Sequence, residues 1–303
     1  MTRPTPAPLA HSTEYDPPAG VMEQVSPLVR RMTAPNAGPF TFKGTCVYIV
    51  GRGDVAVIDP GPADEAHIAA LAAGLGDERI AHIVVTHTHK DHSPGARLLA
   101  ERTGARIVGC APYAPPPGPP SGLDASHDRD YAPQRILGDG ERLSGDGFDL
   151  VAVATPGHAA NHLCFALPQE RALFSGDHVM AWSTSVVAPP DGNMTDYMAS
   201  LAKLRARDEA IFWPGHGGPV TDPQRYMRGL AHHRLQREAA ILRRLEAGDE
   251  TIAAMTPKIY ENLDPRLGNA AAFSMLAHLQ DLVARGIVAS EGAPDIGARY
   301  RLV

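Results

Sequence analysis

The 303-residue chain predicts an α/β layered domain followed by a small helical tail closed by a hairpin. Two observations carry this fold class. Between residues 40 and 110, β-branched runs alternate with Ala-rich helical stretches, the β-α-β order of a sheet covered by helices. After Pro219 the pattern changes to one long helix, shorter helices and a terminal hairpin. A third observation places the chemistry. His87-Thr88-His89-Lys90-Asp91-His92 follows the apolar run Ile83-Val84-Val85, so three imidazoles and a carboxylate sit where a buried strand ends.

Taken in order, residues 1–20 are Pro-rich and read as a loose arm, followed by a main domain over 21–220. Phe40 to Val50 and Val55 to Ile58 flank Gly51-Arg52-Gly53, which predicts a hairpin with a glycine turn. Residues 64–76 predict a helix, Ile83 to Thr86 a strand, Gly95 to Thr103 a helix and Ala105 to Val108 a strand. Residues 111–133 read as a long loop around the run Pro115-Pro116-Pro117-Gly118-Pro119-Pro120. Such loops either cover a site or are surface insertions. Short strands with Gly-Asp turns recur from Arg135 to Phe174. Residues 221–303 form the tail. A helix over 222–247 carries an apolar stripe of Met227, Leu230, Leu235, Leu242 and Leu245. Helices at 251–260 and 268–285 and a hairpin from Ile287 onward complete a winged-helix-like unit.

Composition narrows the function. A net charge of -6 gives no general attraction to nucleic acid or to anionic membrane. Cys46, Cys110 and Cys164 form no CxxC pair and suit a reducing cytosol, so a cytoplasmic location is expected. Met1 to Pro18 lacks the apolar core of a signal peptide, and no run of about 18 apolar residues predicts a membrane span.

The six-residue cluster has a bland reading, since fourteen histidines cluster by chance. Four metal-ligand types in six positions after a buried strand are hard to explain as packing, because buried polar groups need partners. Side chains of His87, His89 and Asp91 share one face in an extended stretch, and a turn brings His92 to them. Six residues cannot saturate two metals. Further ligand types stand just beyond later strands, each beside glycine: His158 in Thr155-Pro156-Gly157-His158, Asp177 in Ser175-Gly176-Asp177, and His216 in Pro214-Gly215-His216-Gly217.

HTHKDH, TPGH, SGD and PGHG resemble, in order, the ligand motifs of the metallo-β-lactamase superfamily, over most of residues 35–220. The tail, Phe40 to Thr45 and Asp264-Pro265-Arg266-Leu267 look like the branch named after β-lactamase-like protein 2, whose characterised animal member is an endoribonuclease. The resemblance implies a four-layer αββα sandwich. It implies two Zn²⁺ per chain, although manganese or iron fits the same ligands. His87, His89 and His158 would bind the first ion, Asp91, His92 and His216 the second, and Asp177 both. A hydroxide held between the ions would be the nucleophile, with Asp91 in the catalytic role of orienting it. His89 stands where flavodiiron relatives carry a carboxylate, which favours hydrolysis over redox chemistry.

Weaker expectations surround this set. His162 and His178 are candidates for substrate binding, against a packing role. Asp59 either orients a ligand histidine or serves its turn. On the long helix Arg225, Arg228, Arg234, Arg237, Arg243 and Arg244 face only Glu238 and Glu246, so Arg225 and Arg228 are candidate substrate contacts, against a solvated face. From Glu250 onward five basic residues oppose six acidic ones, a poor groove reader, which suggests packing, a homodimer contact or a cleft wall. Three functions compete: a dinuclear-zinc hydrolase of the β-lactamase-like protein 2 type cutting single-stranded RNA, a hydrolase of small esters, thioesters or lactones like hydroxyacylglutathione hydrolase, and a winged-helix nucleic-acid-binding protein with a vestigial metal site.

Overall fold

Strands buried on both faces dictate what must cover them. In the computed structural model, which describes residues 9–115, 126–261 and 263–303, two such sheets pack against each other. The first sheet runs in chain order: β1 (Met22–Gln24), β2 (Val29–Thr33), β3 (Cys46–Arg52), β4 (Asp54–Ile58), β5 (Arg79–Val85), β6 (Arg106–Gly109) and β7 (Arg135–Ile136). It is antiparallel up to β4 and parallel from β4 to β7. Parallel steps need crossovers; α1 (Glu65–Leu75) supplies that from β4 to β5 and α2 (Pro94–Thr103) that from β5 to β6. Asp64 caps α1 by accepting from the His67 amide at 2.9 Å.

The second sheet contains β8 (Arg142–Gly145), β9 (Phe148–Ala154), β10 (Leu163–Leu167), β11 (Ala172–Gly176) and β12 (Ile211–Pro214), in the order β12-β11-β10-β9-β8. Only β11 and β12 are parallel, and α3 (Met194–Arg205) fills that crossover. Phe148, Leu150, Phe165 and Phe174 meet Tyr48, Val50 and Val57 in the core between the sheets. Tyr197, Leu201 and Leu204 of α3, with Met227 and Leu230 of α4 (Pro223–Glu246), cover the outer face of the second sheet. The layers are helix, sheet, sheet, helix, as expected.

The tail comprises α5 (Ile252–Ile259), α6 (Gly268–Ala284) and the hairpin β13 (Val288–Ser290) with β14 (Tyr300–Leu302). Its core joins Met255, Met275, Leu279 and Tyr300 to Ile241 and Leu245 of α4. Ala277 packs into the layer between α3 and the second sheet, and Thr195 Oγ1 donates to Asp281 Oδ1 at 2.6 Å, so the tail is docked on the main domain.

Several expectations change. Residues 1–8 and 116–125 lie outside the described residues. From residue 9 the arm is packed, not loose: the Ser12 amide donates to the Ala181 carbonyl at 2.9 Å, and buried Tyr15 contacts Thr33 Oγ1 at 2.7 Å. The first hairpin strand starts at Cys46, because Phe42 and Gly44 have positive φ and break the extension from Phe40. In α4 the buried row is Met227, Leu230, Arg234, Ile241 and Leu245, whereas Leu235 is exposed. Among the described residues no helix is long and apolar enough to cross a membrane.

Candidate metal centre

The two sheets meet at one edge through backbone hydrogen bonds: Cys46 donates to the Gly215 carbonyl (2.7 Å) and Leu163 to that of Thr86 (2.8 Å). All seven expected ligands lie at this edge. The turn after β5 delivers His87, His89, Asp91 and His92; the ends of β9, β11 and β12 deliver His158, Asp177 and His216. Gly215 is required by crowding, since a Cβ there would lie 2.5 Å from Asp177 Oδ1 and 2.7 Å from the His92 ring.

Two groups of ligand atoms form. In the first, His89 Nδ1 is 3.0 Å from both His87 Nε2 and His158 Nε2. In the second, His216 Nε2 lies 3.1 Å from Asp91 Oδ2 and 3.3 Å from His92 Nε2. Asp177 stands between them: Oδ2 is 3.7 Å from His158 Nε2 and 3.4 Å from His216 Nε2, and Oδ1 is 3.5 Å from His92 Nε2.

The outer hydrogen bonds decide which nitrogens carry protons. Asp59 Oδ1 accepts from the Thr86 amide (2.8 Å), and Oδ2 accepts from the Thr86 hydroxyl (2.7 Å) and from His92 Nδ1 (2.9 Å). Having donated, the Thr86 hydroxyl accepts from His87 Nδ1 at 2.9 Å. His158 Nδ1 donates to the Val186 carbonyl (2.6 Å) and His216 Nδ1 to that of Gly44 (3.2 Å). In their neutral form these four imidazoles therefore turn an Nε2 lone pair inward. His89 Nδ1 can donate to only one of the two lone pairs it meets, so lone pairs face each other with too few protons to join them. Such convergence, beside two carboxylates, fits divalent cations. Asp59, in a left-handed conformation (φ 48°), orients one ligand of each group.

Electrostatics divide the two groups. Burial, reinforced by neighbouring imidazoles, holds His87 and His89 well below the ordinary histidine range, neutral as ligands must be. Burial pushes Asp91 and Asp177 up, but His92 and His216 outweigh it and keep both carboxylates ionised below their usual range. Against their own burial, the same carboxylates raise His92 well above the histidine range and His216 to about 10, so these two imidazoles carry protons that a divalent cation would displace.

The other candidates fall elsewhere. His162 is buried behind the site, with Nδ1 at 2.8 Å from Thr155 Oγ1 and Nε2 accepting from the Asp177 amide at 3.2 Å. His178 is fully buried against the Tyr197 ring, 4.6 Å between centroids. Both are buried, and His162 holds the Asp177 turn through that amide. Arg225 and Arg228 are exposed and do not line the groove beside the centre; later turns of α4 supply Arg234 and Arg237 there. His127 and Asp191 were not foreseen. Their ligand atoms and one of His89 lie within 4.8 Å of one another, and His127 stacks on Tyr113 at 3.8 Å. The 126–128 segment runs beside the ligand turn, with Lys90 donating to the Ser126 carbonyl and Asp128 to that of Thr88. No ligand motif surrounds either residue; only the long loop hinted at cover.

Comparison with known proteins agrees with this geometry. Residues 40–216 match the metallo-beta-lactamase superfamily, and residues 251–297 match the beta-lactamase associated winged helix domain. A beta-lactamase-like protein 2 homolog of Caenorhabditis elegans is 30% identical, covering 88% of each chain. An atrochrysone carboxyl ACP thioesterase of Cryptosporiopsis sp. is 31% identical over 76% of this chain, which spans 66% of that relative's length. The structure of a beta-lactamase domain protein from Burkholderia ambifaria superposes with a TM-score of 0.80 over 96% of both chains at 20% identity, the same fold. Motif order, ligand geometry and these matches together establish that the chain belongs to the metallo-beta-lactamase superfamily and carries its associated winged-helix domain.

Proposed function

We propose that the chain is a metal-dependent hydrolase that cleaves small thioesters or esters with two zinc ions in the cytoplasm. The inward convergence of seven ligands, with Asp177 between both groups, carries this reading. His87, His89 and His158 would hold one ion, Asp91, His92 and His216 the other, and Asp177 would touch both. Bound there, the ions supply Lewis acidity and lower the pKa of water to about 7. Asp59, Val186 and Gly44 hold the imidazoles in the ligand tautomer. Asp91 is the more exposed of the two carboxylates, 27% against 9% for Asp177, and would be the group that orients the attacking water.

The choice of a small substrate rests on the adjoining groove, about 240 Å³, whose lining includes Trp182, Val186, Tyr260 and Leu263. It has the size for an acyl group and sets apolar walls beside two arginines, without the long cationic track a polynucleotide needs. Relatives named as thioesterases support this class. The second reading is a single-strand endoribonuclease, favoured by the resemblance to the β-lactamase-like protein 2 branch and by exposed Arg225 and Arg228 on α4. Zinc-loaded protein offered S-lactoylglutathione, acyl-N-acetylcysteamine thioesters and a labelled RNA strand separates them. Thioester turnover with intact RNA is expected; RNA cleavage with every thioester untouched reverses the order.

A further inference from the structure

The groove beside the metal centre has an unusual charge. Among the described residues its lining includes Arg234 and Arg237 but no Asp or Glu, in a chain of net charge -6. Among the described residues neither guanidinium has an ion pair. Arg234 donates from Nη2 to the Ser185 carbonyl and lies 4.8 Å over the Tyr197 ring. Arg237 donates from Nη1 to the Ile259 carbonyl at 2.7 Å and lies 4.1 Å over the Tyr260 ring. Arg234 is only 5% exposed, and its Nε has no partner. A buried cation with no counter-charge and an unmet donor is costly, and carbonyls and ring faces offset only part of that.

The position matters as much as the charge. Arg234 bonds the carbonyl of Ser185, while His158 bonds that of the next residue, Val186. A two-residue wall thus separates a guanidinium from a metal ligand. On the other flank Trp182 packs against Gly217, the neighbour of His216. Through Val186 and Trp182 the groove adjoins the ligand edge, so a substrate with its reacting carbonyl at the ligands would extend past Arg234 and Arg237.

We propose that Arg234 and Arg237 form a subsite for an anionic oxygen group, a carboxylate or a phosphate, at the non-reacting end of the substrate, so that the enzyme selects anionic thioesters or esters over neutral ones. This rests on the thioester reading above. One buried and one half-buried guanidinium lining the same groove suit a single anion, and bidentate geometry gives Arg its selectivity for such groups.

The test compares substrates differing only in that charge. S-glutaryl-N-acetylcysteamine is set against its terminal amide, and butyryl-phosphopantetheine against butyryl-pantetheine. At least a tenfold lower KM for the charged member of one pair is expected. The pair that shows it identifies the anion as acyl carboxylate or carrier phosphate. In Arg237→Gln, and in Arg234→Met if that variant folds, the ratio should fall close to one. Equal KM within both pairs for the wild type overturns the subsite and leaves the hydrolase reading standing. If no thioester is turned over, that reading fails. The subsite is then decided by calorimetric titration of the zinc-loaded protein with glutarate and with inorganic phosphate. Weaker binding in Arg237→Gln supports it; identical isotherms in wild type and variant overturn it.

Discussion

Asp59 shows how much one carboxylate can fix. It bonds His92 directly and His87 through the Thr86 hydroxyl, so it sets the tautomer of one ligand in each group. Replacing it by Asn keeps the shape but removes charge and an acceptor. Asp59→Asn is therefore expected to weaken metal affinity by about 10- to 100-fold, measured by competition with a chromophoric chelator. Asp177→Ala or His89→Ala should leave the fold intact, abolish hydrolysis and lower bound metal per chain; unchanged turnover would refute a two-ion mechanism. The seven ligand-type residues were legible in the sequence because four fall within six positions after an apolar run and each of the other three stands beside a glycine just beyond a later strand. Asp59 was legible only as one of two readings, since its role depends on Thr86 and His92 arriving from elsewhere. His127 and Asp191 carried no pattern, because two separate loops, one between β6 and β7 and one between β11 and α3, bring them to His89 from distances no spacing records.

Among elements, α4 teaches the limit of a periodic stripe. Its extent was readable from Asp222 and Pro223 at one end and loss of period at the other. Its facing was not. Leu235 is 55% exposed while Arg234 is buried, because the Ser185 carbonyl and the Tyr197 ring receive the guanidinium where a leucine was expected. β2 was hidden for a related reason: Arg30 and Arg31 break its apolar run, yet both are buried through Glu78 and Glu23. The packing of α4 and α6 carries a pH dependence. Burial, then Arg234 and Arg237, lowers His278 to about 3. An unfolded histidine takes up its proton near 6.5, so between these values the unfolded chain binds more protons than the folded one. Stability therefore falls as pH drops below 6.5 and continues to fall toward about 3, by at most ~1.4 kcal/mol per pH unit for this residue. Urea unfolding at pH 7 and pH 5 should show the loss, and His278→Leu should reduce it, with His178 and His233, lowered to about 3 and about 4, supplying part of the remainder. An unchanged slope in that variant would assign the acid sensitivity to other groups.

At the scale of the molecule, layer order and the docked tail follow from where apolar runs and parallel crossovers must go, which is why the fold class was readable. How the sheets register against each other was not, since that depends on contacts such as Phe148 of β9 filling the space at Gly51 of β3. The ligands divide four and three between the two sheets. Each bound ion then ties the halves together, and chelation should lower the unfolding temperature in proportion to RT ln(1 + [L]/Kd). The coupling also runs in reverse, because linkage between two equilibria is reciprocal. Phe148→Ala, at the inter-sheet core and not among the ligands, should cost about 3–5 kcal/mol of stability and weaken metal binding as well. Equal chelator competition in variant and wild type would show that the ligand edge holds its shape independently of that core. The centre is in this sense a gauge of assembly: a chain whose sheets have not closed holds four ligands or three, never seven, so metal uptake reports that the two halves have found each other.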